Sequence, residues 1–321
     1  MSDEATWEVL PGLEQPAQAD PELDTVGRHL LQLDPDGKRF AGAVRRTFDM
    51  LLDGQHTGRF KWQQLHKTEK THCGTLIEIN LQREFDFADG VGLDYEICGV
   101  DVDCKYSQDM WKWMIPPEAV GKICLVVWAS DDEAIFSAGL VRMMPEFLNL
   151  GDNRDSKKTL RASHRSAVRW LFDKAPLQEN VLLRLAEADV AAIFGQRTGQ
   201  RRVNELFRRA TRRRVSRTAV ATVATQDDYM KRVRYNGGSR DQLRDEGIVI
   251  LGDYRSHVQV ARRLMLPEPG PGEFVSARLA KWRHRHGDRP RVMLEGQEWV
   301  LADEDDEPER APKLPSTNRS E

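Results

Sequence analysis

Apolar residues at Val44, Phe48, Leu51 and Leu52 recur at helical spacing after the turn signal Asp34-Pro35-Asp36-Gly37. They predict a helix over 39–52 that stops at Asp53-Gly54. A second helix is predicted over 70–85, where Leu76, Ile77, Ile79 and Leu81 make an apolar face broad enough for a core position. The period then changes. Val100, Val102, Cys104 and Tyr106 alternate with Asp101, Asp103 and Lys105, which is the signature of a strand, and Gly99 marks a turn from a preceding strand. Two further strands are predicted over 122–130 and 134–143, separated by Asp131-Asp132, and a helix over 161–172. Helix, strands and helix in that order predict an α/β domain with a mixed sheet. Beyond a linker at 172–179 the chain reads as mostly helical to position 233, with short strands at 248–251 and 274–278 and a Gly/Pro loop at 267–272.

The 321 residues suit two domains. The expected division is a solvated acidic tail over 1–24, a first domain over 25–171, the linker, a second and mainly α domain over 180–301, and an acidic tail over 302–321. The longest apolar run, 123–129, has seven residues, too short to span a membrane. The first 24 residues carry seven acids and no Lys or Arg, the reverse of a signal peptide, so a cytoplasmic location is expected. The four cysteines form no C-x-x-C pair and are expected to be reduced, buried and free of structural zinc. His66, His72, His284 and His286 match no metal-ligand spacing. A net charge of -3 does not itself predict a nucleic-acid partner. Its distribution does: residues 201–235 hold eleven Lys or Arg against three Asp or Glu, a basic face fit for a polyanion.

The chemistry is concentrated at Asp94-x8-Asp103-x-Lys105. Residues two apart on a strand share a face, so Asp103 and Lys105 project together, and Asp94 on or before the adjoining strand reaches the same side. Two converging carboxylates repel unless a cation lies between them, and Mg²⁺ takes such oxygen ligands. The Cys104 carbonyl is a further candidate ligand, its thiol pointing away. A lysine beside the metal suits a hydroxide nucleophile or the charge growing on a phosphate under attack. Glu78, on the predicted second helix, lies at the helix–sheet boundary or on an exposed edge. Alternating charges on a strand ordinarily mark a solvated face, and Glu96 and Asp101 remain competing carboxylates.

In the basic region, 216–235 fits a helix-turn-helix. Ala219 and Val223 face inward from the first helix, Ala224 stands at the turn, and Met230 and Val233 face inward from the second. Gln226, Asp227, Lys231, Arg232 and Arg234 then face outward as DNA contacts, with Arg208 and Arg209 in the preceding arginine-rich run. An alternative register pairs 203–211 with 216–224. Gly237-Gly238 and the stretch 247–251 are candidates for a wing. Trp111 and Trp113, just after the acidic strand, are core residues or border a DNA cleft.

Long stretches resemble the NaeI-type restriction endonucleases. They include Asp94-Tyr-Glu-Ile, Val102-Asp-Cys-Lys105, Gln64-Leu-His-Lys-Thr-Glu-Lys-Thr-His72, Glu78-Ile-Asn-Leu81, Arg202-Val-Asn-Glu-Leu-Phe-Arg-Arg209 and Met230-Lys-Arg-Val-Arg234. The likeness runs over about 27–265. It implies a restriction-endonuclease-like PD-(D/E)xK core with Glu78, Asp94, Asp103 and Lys105 as catalytic positions, although Leu93 stands where the general motif has proline. It further implies a winged-helix/helix-turn-helix C-terminal domain like that of the catabolite activator. That domain would bind a second, activating copy of double-stranded DNA, and GCCGGC would be the target. Cutting both strands of a palindrome calls for a homodimer, and a DNA methyltransferase is the expected genetic partner. Leu51-Leu-Asp-Gly54 is similar to the K-x-D-G motif of DNA ligases but lacks the lysine, so no covalent adenylate can form and a helix end is expected there. The rivals are a transcriptional regulator, which would use the acidic strand only structurally, and a repair nuclease that recognises DNA structure.

Overall fold

The computed structural model describes residues 20–150 and 156–315, and the chain divides into two compact units. Unit 1 takes residues up to Phe48 and Lys67–Gln178; unit 2 takes Asp49–His66 and Glu179 onward. Unit 1 therefore is not one continuous stretch, and residues 49–66 belong with the C-terminal half.

Four helices precede the first sheet: α1 (Pro21–Leu33), α2 (Lys38–Leu52), α3 (Gly54–Thr57) and α4 (Lys67–Phe85). α1 starts inside the expected acidic tail. Asp20 caps it by accepting from the Leu23 N–H (3.1 Å), Pro21 stands at its first position, and Leu23 is buried. Arg142 binds Asp20 (2.7 Å) and Glu22 (2.8 Å), and Arg169 binds Asp24. Those acids read as solvated in sequence because their partners lie more than a hundred residues away. The rest of that expected tail, 1–19, falls outside the described residues. α2 ends at Leu52, Asp53 follows in the left-handed region (φ 45°), and Leu51 is buried, the expected helix end.

Unit 1 is built on a six-stranded mixed sheet of β1 (Ala88–Asp89), β2 (Tyr95–Ile97), β3 (Val100–Ser107), β4 (Ile123–Ser130), β5 (Ile135–Arg142) and β6 (Arg169–Pro176), in that spatial order. β3 and β4 run parallel and the other neighbours antiparallel. The β2–β3 hairpin turns at Cys98 (φ 54°) and Gly99 (φ 77°), as the glycine suggested. Cys73, Cys104 and Cys124 are buried, but Cys98 is exposed on that turn.

Two expectations fail along β6. The helix predicted over 161–172 is a 3-10 turn at Ala162–Ala167 followed by the strand, and the linker predicted over 172–179 is largely that strand. β6 is an edge with a bulge: Phe136 pairs with Ala175 and Ala138 with Phe172, leaving Asp173 and Lys174 out of register. The Lys174 N–H donates to Ser137 Oγ (2.9 Å), which in turn donates to Asp173 Oδ1 (3.2 Å). A solvated, bulged edge ending in proline carries no alternation to read.

Unit 2 contains α5 (Glu187–Phe194), α6 (Gly199–Arg209), β7 (Arg214–Ser216), α7 (Arg217–Ala224), α8 (Ser239–Gln242), β8 (Ile248–Gly252), α9 (Arg255–Arg263), β9 (Glu273–Lys281), β10 (Arg291–Leu294) and β11 (Gln297–Leu301). It is not mainly α. Its centre is β9, which pairs antiparallel with β7, β8 and β11, while β10 pairs with β11. The hairpin of β10 and β11 was invisible because its strands are short and bury alternate residues only once β9 is in place. The second helix expected near 226–235 is also absent as an α-helix. Thr225 turns left-handed (φ 48°) and only a 3-10 turn, Tyr229–Arg232, follows. The neighbouring α-helices are α6 and α7, near the alternative register.

The acidic tail expected over 302–321 is packed as far as it is described. Ala311 and Leu314 join the core, and the Ala311 N–H donates to Arg244 O (2.7 Å). Asp306 is buried against Arg285 and His286, the latter at 3.1 Å. Burial alone would raise its carboxyl, but the Asp303 N–H, His286 and Arg285 outweigh it and hold the pKa at about 2. Residues 316–321 lie outside the described part.

One buried group makes unit 2 sensitive to acid. His257 on α9 is fully buried, and its Nδ1 accepts from the Gly252 N–H (3.1 Å). Burial, then the charge of Arg240, pulls its pKa from 6.5 down to about 4. The unfolded chain therefore takes up a proton first as pH falls. The contribution is complete above pH ~6.5, is lost progressively toward pH ~4, and amounts to about 3 kcal/mol. Urea unfolding followed across this window should show declining stability, and His257→Gln should flatten the decline. Equal slopes in both proteins would remove His257 as the cause.

Candidate active site

Asp94, Asp103 and Lys105 meet as their spacing predicts. Lys105 Nζ donates to Asp103 Oδ1 (2.7 Å), to the Cys104 carbonyl (2.9 Å) and, more distantly, to Asp94 Oδ2 (3.5 Å). The Cys104 N–H donates to the same Asp94 oxygen at 2.7 Å, so strand β3 itself fixes the second carboxylate. Glu78 comes from α4. Its carbonyl accepts from Tyr95 Oη (2.8 Å), which ties the helix to β2 at this level. The Glu78 side chain makes no hydrogen bond or ion pair among the described residues.

The charges bear on one another. Asp103 is 3% exposed. Burial raises its pKa above the ordinary carboxylate range, against the downward pull of Lys105. Burial and then the charge of Asp94 raise Glu78 as well. Burial alone would lower Lys105, but Asp103 and Asp94 outweigh it and keep the ammonium protonated. A half-buried carboxyl with a raised pKa next to fixed charges suits the handling of a water proton.

Of the rival carboxylates, Asp101 accepts from the Val91 N–H (3.0 Å) and shapes the loop leading to Asp94, while Glu96 is exposed. Sequence reasoning missed Cys124. Parallel pairing sets it beside Asp103, and its Sγ donates to Asp103 Oδ2 at 3.7 Å. No local motif signals a residue brought in by a neighbouring strand.

Among the described residues no three His, Cys, Asp or Glu side chains converge as a ready-made metal cluster. The donors here are two carboxylates and a main-chain carbonyl. Mg²⁺ is commonly held by one or two carboxylates, with phosphate oxygens and waters completing its shell. Three oxygens gathered round a single cationic atom fit such an ion.

The expected DNA contacts of unit 2 are less uniform. Arg208 is bound to Glu246 (2.7 Å) and Glu205 (2.8 Å), and Arg209 to Glu205 (2.8 Å) and Asp189 (3.0 Å). Arg232 makes two bonds of 2.9 Å to Asp228, which also faces Lys231 at 3.6 Å. Asp227 accepts from Gln55 Nε2 (3.1 Å). Gln226 and Arg234 are exposed, and Arg234 has no carboxylate partner among the described residues.

The family model for restriction endonuclease NaeI matches residues 24–309. The type II restriction enzyme NaeI of Lentzea aerocolonigenes is 49% identical over 307 residues, covering 93% of this chain and 96% of that protein. A transcriptional regulator that keeps the acidic strand only as scaffold does not fit such a match. The carboxylate–lysine site thus stands in a chain that belongs to the NaeI restriction endonuclease family, type II enzymes that cut DNA at specific sites.

Proposed function

We propose that the protein is a Mg²⁺-dependent endonuclease that cuts both strands of GCCGGC, leaves 5′-phosphates, and is activated by a second DNA copy bound to unit 2. The observation that carries the metal assignment is the convergence of Asp94, Asp103 and the Cys104 carbonyl on one cationic point. Those groups would hold the ion, with Glu78 as a third carboxylate or as a group that orients water. When bound, the ion supplies charge stabilisation at the phosphate. Lys105 assists the attacking water and balances the charge that grows on the phosphate. The water oxygen forms the new bond to phosphorus and gives up one proton, which passes by way of solvent to the leaving oxygen. The 3′-oxygen leaves with the bonding pair and is protonated, and the phosphate stays on the 5′ side.

The winged-helix reading of unit 2 is supported by the order α6, β7, α7, then β8 and β9, with β7 and β8 both paired to β9. Arg234, exposed on the segment after α7 and without a carboxylate partner among the described residues, is the better candidate for phosphate contact, since Arg208, Arg209, Lys231 and Arg232 are engaged by carboxylates. A palindromic target calls for a homodimer, each protomer supplying one site. The enzyme would act in the cytoplasm beside a methyltransferase that protects host DNA.

Digestion of methylated and unmethylated plasmid, with Mg²⁺ or with a chelator, tests this reading. Unmethylated plasmid should be cut only with Mg²⁺ and mapped to GCCGGC, and a short duplex carrying that sequence should accelerate cutting of single-site DNA. Full cutting in excess chelator would sink the assignment of Asp94 and Asp103 as ligands. An unresponsive rate would sink the effector role of unit 2.

A further inference from the structure

The face of the unit 1 sheet that bears Asp103 and Lys105 carries a second group of residues that the cleavage chemistry does not use. Lys105 pairs across to Val126, Val126 to Gly139, and Gly139 to Trp170. A side chain at Gly139 would meet the Trp170 ring at 2.8 Å, so the glycine is what admits the indole here. Trp111 stands edge-on to Trp170 (centroids 5.5 Å apart, 71°) and to the buried Trp113 (5.6 Å, 78°). Its backbone is left-handed (φ 73°), a conformation that a bulky residue adopts only where its surroundings hold it. The surroundings hold it there. Trp113 Nε1 donates to Val127 O (2.8 Å), Trp128 Nε1 to Gln108 O (3.0 Å), and the Lys112 N–H to Asp109 O (3.1 Å).

The exposed guanidinium of Arg165 lies over the Trp111 ring, 5.0 Å from its centroid. Stacking fixes the plane of an arginine while leaving its N–H edges free for a phosphate. Lys158, next to Lys157 in the chain, is tied to the segment that follows Trp113, because Ile115 and Lys158 exchange two main-chain bonds of 2.8 and 2.9 Å. Residues 156–172 contain five Lys or Arg and no Asp or Glu. Among the described residues Lys157, Lys158 and Arg165 have no carboxylate partner, whereas Arg39, Arg45, Arg46 and Arg142 in the same unit each have one. A cluster without counter-charges among the described residues, on the sheet face that bears an enzyme's cutting site, suits a polyanion.

We propose that Arg165, stacked on Trp111, together with Lys157 and Lys158, grips the phosphate backbone of the DNA being cut, on the side of the active site toward β6. The inference rests on the nuclease reading of the Lys105 site. Three strand spacings and one ring contact place this surface about 15–20 Å from Lys105. That is roughly half a turn of B-DNA, so the phosphates gripped lie about five base pairs from the scissile one.

The test is steady-state cleavage of a linear single-site duplex by the full chain, with saturating effector duplex, for wild type, Arg165→Ala, Arg165→Lys and Lys157→Ala/Lys158→Ala. Arg165→Ala should raise KM about tenfold with kcat within about threefold, since one charge-assisted contact is lost. Arg165→Lys should fall between it and wild type. The salt dependence of substrate binding should become shallower by about one unit per cation removed. The double lysine variant leaves the tryptophan packing untouched, so it reads the surface even if Arg165→Ala is unstable. A wild type that cuts normally, with variants of unchanged KM and salt slope, would overturn the proposal, as would a loss confined to kcat. A wild type that does not cut would instead overturn the nuclease reading.

Discussion

Lys105→Ala should cut DNA at least about 10²-fold more slowly than wild type, the scale for loss of one group that stabilises transition-state charge. DNA binding should remain near normal. A second measurement separates this role from simple disruption. Lys105 Nζ is the cation that holds Asp103 Oδ1 (2.7 Å), the Cys104 carbonyl (2.9 Å) and Asp94. Removing it leaves two neighbouring carboxylates without a counter-charge, a costly arrangement in a poorly solvated place. The variant should therefore melt lower than wild type without divalent ions, and Mg²⁺ or non-catalytic Ca²⁺ should restore more stability to it than to wild type. Wild-type cleavage in the variant would mean that another cation does the work.

Asp103→Asn should show the opposite metal response. The amide keeps the shape, and its oxygen can still accept from Lys105, but the charge that attracts a divalent ion is gone. Cleavage should fall by about 10³-fold, and the melting temperature should no longer rise with Mg²⁺ or Ca²⁺. A normal metal-induced shift together with lost cleavage would show that Asp103 is not a ligand and acts on the substrate. The two variants, compared in one thermal series, distinguish the group that replaces a cation from the group that binds one.

The site was legible because its key residues sit on one strand. Alternation along β3 is a local property, and it placed Asp103 and Lys105 on one face before any partner strand was known. Asp94 followed because a hairpin is the shortest return to that face, and Gly99 marked its turn. Cys124 was not legible, because parallel pairing brings it in across an intervening loop. The same distinction separates success from failure in the fold. α2 and α4 carry their own apolar faces and β4 and β5 their own apolar runs, whereas β6 and the hairpin of β10 and β11 acquire an inside only when a neighbour is present. The acids around 20–24 and at Asp306 looked solvated because Arg142, Arg169 and Arg285 are distant in sequence. Local reading overstated the arginine-rich run for the same reason: Glu205, Glu246 and Asp189 neutralise much of what the composition counted as free charge.

Residues 49–66 lie between two stretches of unit 1 yet belong to unit 2. The chain accordingly passes from one unit to the other three times. A single genetic crossover between relatives, placed anywhere in 67–178, would pair the C-terminal half of one parent with residues 49–66 of the other. Phe60 from that segment packs in the same core as Leu206, Phe207 and Val220. Such a hybrid would combine unmatched halves of one hydrophobic core even though its catalytic residues were intact. Exchange of target specificity among relatives would thus have to preserve a partnership between two separated stretches of gene, which favours inheritance of the two units as one block.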